Sequence, residues 1–305
     1  MSTYRDLRDL GLLGLLWGTI FPATEVGLST FPPLLLMALR FDVASLVMVG
    51  YVVLRSEDWR PGSRGDVLAI VAGGVFWTVI GNGVWYIGQD LTTSVFSGLA
   101  TGLIPVLTAG FAWVLLPTER LRPLSIAGLG LGFVGAVIML VPSGAIAFTE
   151  GVLGKAILFG GAAGIALSSV LIRYADTSLS SPVQTAWSAV LGAVLLHVLS
   201  PLRGETWGGE FPVMAGVAVG YLGVVSTVIA YLLYFSLLQR RPSIEVTLMM
   251  YLAPVVAATA GWLLFGESVT VSMIGGFLIV LTGFALMKRQ EIRAELTRHG
   301  LVDGQ

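Results

Sequence analysis

A line of polar and aromatic side chains runs through an otherwise apolar segment near residue 80. Thr78, Asn82, Trp85, Tyr86 and Gln89 stand at i, i+4, i+7, i+8 and i+11, the spacing of one helix face. Hydroxyl, amide and indole groups form reversible hydrogen bonds, and aromatic rings contact apolar groups and cations. These residue types therefore indicate a non-covalent binding surface for a small molecule.

A second line of similar residues occurs 149 residues later. Thr227, Tyr231, Tyr234 and Phe235 stand there at the positions that correspond to Thr78, Asn82, Trp85 and Tyr86. In hydrocarbon an unpaired amide or hydroxyl costs several kcal/mol, so such groups face protein or a wet cavity. We expect the two lines to face each other across a substrate cavity. The alternative is that the aromatic residues mark the membrane interface and that Asn and Thr join neighbouring helices.

Four further residues near the middle of apolar segments are candidate substrate contacts: Trp17, Thr101, Ser168 and Tyr251. Each of them, taken alone, is also explained by helix packing.

Two charged residues, Glu25 and Arg40, lie in apolar segments on either side of the turn LSTFPP at 28–33. Arg40 lies about 10 Å along a helix that begins at Pro33, at 1.5 Å per residue. Asp42 points to another side of that helix, whereas an antiparallel hairpin brings Glu25 close to the depth of Arg40. We expect a structural Glu25–Arg40 contact, with substrate-carboxylate binding by Arg40 as the alternative.

Residues that enzyme chemistry needs are scarce. The chain has no cysteine and two histidines, His197 and His299, which are far apart, and no carboxylate pair falls in the middle of an apolar segment. Gly151 to Lys155 lacks the spacing of a phosphate-binding loop. We therefore expect no metal, no cofactor, no ATP hydrolysis and no enzymatic activity.

The composition is that of a membrane protein. Of 305 residues 55% are hydrophobic and only 11% charged, with a mean hydropathy of +0.88, whereas soluble domains carry about 25% charged residues. Apolar runs long enough to cross a bilayer predict ten helical spans, at 10–28, 33–54, 66–88, 93–116, 123–141, 151–172, 182–200, 212–237, 244–265 and 270–287.

Basic residues predict the orientation of these spans. Arg and Lys concentrate at the two termini and in every second loop, as in Arg60, Arg120 and Arg240, while the opposite loops hold little more than Arg203. Loops rich in Arg and Lys face the cytoplasm. Both termini are therefore predicted to be cytoplasmic.

The segment 103–140 resembles the segment 252–288. Pro105 aligns with Pro254 and Trp113 with Trp262; after a one-residue gap the alignment adds Glu119 with Glu267, Gly128 with Gly276 and Gly135 with Gly283. Two units of five spans each would insert in opposite orientations. Arg120 and Arg122 correspond to Ser268 and Thr270, as a move of this loop to the outer face requires.

The paired segments WVLLPTER and WLLFGES, each with a proline eight residues before its tryptophan, resemble the EamA-type modules of the drug/metabolite transporter superfamily. Pro117 and Thr118 depart from the commoner Gly before the acidic residue. The resemblance implies an all-α integral membrane protein of ten transmembrane helices, as two inverted five-helix repeats at 1–145 and 146–288 with a cytoplasmic tail at 289–305. Within the superfamily the pattern is most similar to the YddG-type exporters of aromatic and other amino acids.

This resemblance implies a non-ATP transporter of the bacterial inner membrane that exports small metabolites, above all aromatic and neutral amino acids, by alternating access. No carboxylate lies at mid-span, which favours facilitative transport, with a proton-coupled drug or metabolite exporter as the alternative. An intramembrane enzyme and a structural membrane protein are rival functions of other classes. The expected partners are a small-molecule substrate and the lipid bilayer, with no nucleic acid and no obligate protein partner.

Overall fold

The computed structural model describes residues 2–55, 58–116, 123–140, 150–209, 211–240, 246 and 251–298. These residues form helices and no β-strand. Eight of the described helices are long and apolar enough to cross a membrane: α1 (Arg8–Leu28), α2 (Pro33–Arg55), α3 (Arg64–Asp90), α4 (Ser94–Leu115), α5 (Pro123–Leu140), α6 (Gly151–Ala175), α7 (Ser181–Leu202) and α8 (Val213–Leu237). Two shorter apolar helices, α9 (Leu252–Phe265) and α10 (Val271–Met287), follow, and then a charged helix α11 (Arg289–Arg298).

The helices coincide with the apolar runs, so the prediction of an all-helical membrane protein is confirmed. The predicted start of the ninth span at residue 244 lies outside the described residues, as do the loops at 117–122 and 141–149, and a count of ten spans stays a prediction. Glu119, Arg120 and Arg122 fall in that undescribed part. The predicted tail at 289–305 begins with the ordered helix α11.

Two of the membrane helices are interrupted where proline removes a backbone donor. In α1 the chain breaks at Thr19, between Ser2–Gly18 and Ile20–Leu28, because Pro22 offers no N–H to the turn before it. The Thr19 hydroxyl donates to the carbonyl oxygen of Leu15 at 2.8 Å. In α4 the break at 101–102 precedes Pro105, and the Ile104 N–H instead reaches the carbonyl oxygen of Thr101 at 3.0 Å.

Helices α3 and α8 each contain a π-helical stretch, at Ala72–Gly83 and Tyr221–Ile229. A threonine stabilises the wider turn in both: Thr78 Oγ1 donates to the Gly73 carbonyl oxygen at 3.2 Å, and Thr227 Oγ1 donates to that of Leu222 at 2.7 Å. The two stretches begin 149 residues apart, the separation of Pro105 from Pro254. Such wide turns are rare and are frequent at functional sites.

Helices α5 and α10 pack through glycine. A methyl group on Gly128 would lie 2.5 Å from the carbonyl oxygen of Gly283, and one on Gly135 would lie 2.6 Å from that of Gly276. The backbones therefore touch, as small residues permit in membrane helices. In the alignment of the two segments, Gly128 matches Gly276 and Gly135 matches Gly283. The contacts are crosswise: Gly128 touches the residue aligned with Gly135, and Gly135 touches the residue aligned with Gly128.

Carboxylates cap helix N-termini at one end of the bundle. Glu267, after α9, accepts from the backbone N–H groups of Ser94 at 3.0 Å and Val95 at 2.8 Å, and from the Ser94 hydroxyl at 3.1 Å. Glu205, after α7, accepts from the N–H groups of Leu34 and Leu35 at 3.3 and 3.1 Å. These bonds satisfy donors that the first turns of α4 and α2 leave unpaired.

Candidate functional site

A cavity of about 680 Å³ lies among the helices, within the roughly 300–1,000 Å³ of small-molecule sites. Aromatic and polar side chains from α1, α2, α3, α4, α6, α8 and α10 and from the residue before α9 surround it. The main lining residues are Trp17, Phe21, Arg40, Trp77, Asn82, Trp85, Tyr86, Gln89, Thr101, Thr108, Ser169, Ser226, Tyr231, Tyr234, Tyr251 and Phe284.

One wall of the cavity is a cluster of aromatic rings from different helices. Trp17 of α1 lies with its ring centroid 5.3 Å from that of Tyr234 and 6.3 Å from that of Tyr231, both of α8. Trp77 of α3 lies 6.3 Å from Tyr231. Rings at these separations stabilise one another and present rigid apolar faces to a ligand. The wall therefore suits a substrate with an apolar or aromatic part.

Three polar atoms of cavity-lining side chains lack a partner in the described structure. They are the Trp85 indole nitrogen, Gln89 Oε1 and the Ser226 hydroxyl. Buried polar groups are normally hydrogen-bonded, so three unpaired ones among the residues around one cavity are unusual. The residues around the cavity thus include one amide acceptor, one indole donor and one hydroxyl that have no partner among the described residues.

Arg40 of α2 reaches the cavity from the buried side of the helix and is only 4% exposed. Its Nε donates to Thr227 Oγ1 at 3.0 Å and its Nη1 donates to the Tyr86 hydroxyl at 2.8 Å. The Tyr86 hydroxyl also accepts from Thr24 Oγ1 at 3.0 Å. Neutral hydroxyls from α3 and α8 thus hold the guanidinium in place.

The predicted Glu25–Arg40 pair is not formed. Glu25 instead accepts from Gln89 Nε2 at 3.3 Å, and Gln89 Nε2 also donates to the Phe21 carbonyl oxygen at 2.9 Å. The rise per residue predicts how deep Glu25 and Arg40 lie along their helices. It does not predict the direction in which each side chain points around its helix. Arg40 faces α3 and α8, whereas Glu25 faces the end of α3.

Asp42 points away from Arg40, as expected, and pairs with His197, a contact that the sequence does not predict. Its Oδ2 lies 2.7 Å from Nε2 of His197 on α7, and both side chains are nearly half exposed on the outside of the bundle. No group of three or more possible metal ligands occurs in the described part of the chain.

The cavity brings together eight of the eleven predicted substrate contacts, whose role in binding stays a prediction. They are Trp17, Asn82, Trp85, Tyr86, Thr101, Tyr231, Tyr234 and Tyr251.

Three predicted contacts, Thr78, Ser168 and Thr227, do not line the cavity, and the structure corrects their assignment. Thr78 is buried against Gly192 of α7, where a methyl group would lie 2.3 Å from its Cγ2. The Ser168 hydroxyl donates to the Ala72 carbonyl oxygen at 2.9 Å and joins α6 to α3. Thr227 accepts the bond from Arg40. All three hydroxyls serve contacts between or within helices.

Trp77 lines the wall although no sequence pattern predicts it, and Arg40 lines the wall although substrate binding is only the alternative prediction for it. Trp77 precedes Thr78 and falls off the face that an α-helix gives to Asn82. The π-helical turn changes this, because i and i+5 then lie in register, and Asn82 Nδ2 donates to the Trp77 carbonyl oxygen at 2.8 Å. Arg40 was assigned to a structural pair, although a charge in an apolar segment is itself a signal of a functional site.

One end of the cavity carries several charges. Arg173 at the end of α6 and Lys288, Arg289 and Glu291 after α10 line it there. Lys288 Nζ lies 2.6 Å from Glu291 Oε1, and both side chains are substantially exposed. Among the described residues the cavity therefore opens at this end and is closed at the other, where Tyr86 and Gln89 are almost fully buried.

A bundle of apolar helices around a ligand-sized cavity that opens at one end is the architecture of a membrane transporter. Residues 10–141 and 152–289 match the model of the EamA-like transporter family, and the chain belongs to that family. It is thus a multi-pass membrane transporter, a class of protein distinct from enzymes.

Several relatives are similar over most of their length. An uncharacterised transporter of Archaeoglobus fulgidus is 24% identical over 92% of this chain and 98% of its own. The uncharacterised inner membrane transporter YedA of Escherichia coli K12 is 26% identical over 85% and 82%. An S-adenosylmethionine/S-adenosylhomocysteine transporter of Chlamydia muridarum is 25% identical over 91% and 90%. A solved crystal structure covers 94% of this chain and 97% of its own, with a TM-score of 0.64 and 24% identity, and shares the fold.

Proposed function

We propose that the protein exports aromatic and other neutral amino acids, or closely similar metabolites, from the bacterial cytoplasm across the inner membrane. It does so by alternating access through the central cavity. The observation that carries the proposal is the aromatic-walled cavity, open at the end where Arg173, Lys288 and Arg289 lie. Basic residues mark the cytoplasmic end of membrane helices. The cavity is therefore assigned to an inward-open state, with both termini in the cytoplasm, and the inner-membrane location agrees with the name of the YedA relative.

Alternating access follows from ten spans arranged as two inverted repeats, 1–145 and 146–288. The equal spacing of the two π-helical stretches supports this arrangement. So do the crosswise contacts of Gly128 with Gly283 and of Gly135 with Gly276, since a two-fold axis in the membrane plane generates such reciprocal pairs. The last part of the chain, 289–305, then lies in the cytoplasm.

The aromatic wall supports an aromatic or apolar substrate. Trp17, Trp77 and Tyr231 supply flat apolar faces, and small-molecule sites are lined mainly by such aromatic and apolar side chains. S-adenosylmethionine, named for a relative, carries a sulfonium cation. Among the described lining residues Glu291, at the open end, is the one acidic side chain that could face such a cation, which favours neutral amino acids for this chain.

Facilitative transport is the proposed mode, because a proton-coupled carrier normally uses a buried carboxylate or histidine in its cavity. The described lining has neither in its deep part. Flux of tryptophan into proteoliposomes without an ion gradient tests this mode. Transport that appears only when a proton gradient is imposed would refute it and support the proton-coupled exporter.

The cavity itself is tested with two pairs of variants. Trp17→Ala and Tyr231→Ala each remove one ring from the aromatic wall of the cavity. Trp262→Ala and Tyr174→Ala are the controls, because they remove aromatic residues that are 59% and 60% exposed on the outside of the bundle. We expect at least about a tenfold loss of tryptophan flux in the first two, since each ring contact contributes about 1 kcal/mol beyond its buried area. Equal flux in all four variants would contradict the assignment of the cavity as the transport site.

A further inference from the structure

We propose that the guanidinium of Arg40 binds the carboxylate of the substrate. The protein's substrates are then aromatic and apolar carboxylates in general, for which an amino group is not required. This inference rests on the proposed transport through the cavity, and it adds the chemical group that the cavity recognises.

Arg40 is a buried cation whose described contacts include no anion. Its two hydrogen bonds go to the hydroxyls of Tyr86 and Thr227, and no carboxylate lies within 4.0 Å of it among the described residues. A guanidinium has five N–H donors, and these two bonds use two of them. At least the Nη2 group, which bonds no described residue, is available to a ligand, and Arg40 lines the cavity.

The carboxylates nearest to Arg40 in sequence have other partners. Glu25 accepts from Gln89, and Asp42 pairs with His197 on the outside of the bundle. An unpaired charge in a membrane interior is expensive, and intramembrane charges normally pair or mark a substrate pathway. A substrate carboxylate would supply the missing counter-charge.

The charged side chains in the described lining of the cavity are mostly positive. Its described lining contains four basic side chains, Arg40, Arg173, Lys288 and Arg289, against the single acidic residue Glu291. Glu291 is 2.6 Å from Lys288. A cleft lined by one sign of charge raises the local concentration of oppositely charged ligands. An anion entering at the open end would therefore be drawn toward Arg40 at the closed end.

Tyr86 and Thr227 are positioning residues in this arrangement. Their bonds to Nη1 and Nε fix the plane of the guanidinium and leave the other donors for a carboxylate, which planar guanidinium groups bind through two parallel bonds. Glu25 lies near this end, where it accepts from Gln89, but it is not among the residues that line the cavity, and no described acidic side chain lines this end. Recognition therefore depends on the carboxylate and on the aromatic wall.

Three ligands that differ in one group test this selectivity in the wild-type protein, so no variant needs to fold. They are phenylalanine, hydrocinnamate, which lacks the amino group, and phenethylamine, which lacks the carboxylate. Binding is measured by calorimetry on purified protein and by competition with tritiated phenylalanine in proteoliposomes. We expect hydrocinnamate to bind within about threefold of phenylalanine, and phenethylamine at least about 30-fold more weakly.

The outcomes separate the two proposals. Phenethylamine binding as well as phenylalanine would overturn the role of Arg40 while leaving amino-acid transport intact. Binding of hydrocinnamate without transport of phenylalanine would support Arg40 and correct the proposed substrate. If neither acid binds, both proposals fall.

Arg40→Lys and Arg40→Gln provide the matched variants. We expect Arg40→Gln to weaken hydrocinnamate binding about 30-fold or more and Arg40→Lys to retain part of the affinity, because the charge remains but the paired bonds do not. Thermal unfolding of each purified variant reports the fold. Folded Arg40→Gln protein with unchanged affinity for hydrocinnamate would overturn the proposal.

Discussion

At the scale of single residues, the chain of hydroxyls around Arg40 is the feature with the largest consequences. Thr24 donates to the Tyr86 hydroxyl, the same hydroxyl accepts from Arg40, and Arg40 also donates to Thr227. The four residues come from α1, α2, α3 and α8. One buried charge thus fixes the relative positions of helices from both halves of the chain.

Tyr86→Phe removes the shared acceptor and leaves the ring in place. The Nη1 group of Arg40 and the Thr24 hydroxyl then both lose their partner, and each unsatisfied buried donor costs about 1–3 kcal/mol. We expect a lower midpoint of thermal unfolding and weaker binding of carboxylate ligands. Tyr174→Phe, on an exposed ring, is the control, and equal unfolding midpoints in the two variants would contradict the prediction.

At the scale of helices, the sequence predicts where apolar segments lie but not how they deviate from the α-helix. Hydropathy and turn residues located α1 to α8 to within a few residues. The π-helical turns of α3 and α8 depend on the side-chain bonds of Thr78 and Thr227, which have no signature in apolar spacing. An α-helical spacing therefore predicts Asn82 at the cavity but not Trp77, which the π-helical turn brings onto the same face as Asn82.

Glu267 joins two helices that are far apart in sequence. Both carboxylate oxygens accept from the first turn of α4, and glutamine offers only one acceptor while its NH₂ group would face a backbone N–H. We expect Glu267→Gln to lower the free energy of unfolding by about 1–2 kcal/mol. Thermal or denaturant unfolding measures this, with Asp58→Asn on an exposed loop as control. An unchanged stability would mean that this cap contributes nothing.

The glycine contacts between α5 and α10 predict a sharp difference between two alanine substitutions on the same helix. A methyl group at Gly135 would lie 2.6 Å from the Gly276 carbonyl oxygen, whereas one at Gly130 meets nothing within 4 Å. We expect Gly135→Ala to separate the two helices and to lower the yield of folded protein, because backbone atoms cannot move aside easily. Gly130→Ala should match the wild type in size-exclusion profile and melting behaviour. Equal yields and melting behaviour of the two variants would contradict the close backbone contact between α5 and α10.

At the scale of the whole molecule, the cavity is assembled from residues spread from Trp17 to Glu291. Helix and repeat spacing predict five of its lining residues, because equivalent helices are expected to face each other: Asn82, Trp85, Tyr86, Tyr231 and Tyr234. Trp17, Thr101 and Tyr251 are predicted only from their position near the middle of apolar segments. The facing direction of Thr78, Ser168 and Thr227 depends on which neighbour each helix packs against. That information exists only in the folded bundle.

The cavity's open end predicts one-sided chemical accessibility. The chain has no cysteine, so a single introduced thiol is the only one present. We expect Thr108→Cys, in the cavity, to react with a membrane-impermeant maleimide in inside-out vesicles and not in intact spheroplasts. Ser97→Cys, fully buried on the same helix, should react in neither. Reaction of Thr108→Cys in intact spheroplasts would contradict the inward-open assignment.

The two halves of the chain differ at Arg40, because the residue 149 positions later is the buried Ala189. In a carrier built from inverted repeats, a single charge lies off the two-fold axis and nearer to one face of the membrane. A substrate arriving from the cytoplasm meets it at the far end of the cavity, whereas one arriving from outside meets it at the entrance. The apparent affinities on the two faces are then unequal, while a passive carrier keeps the ratio of Vmax to KM the same in both directions. Such a protein releases its substrate more readily on one face without any source of energy.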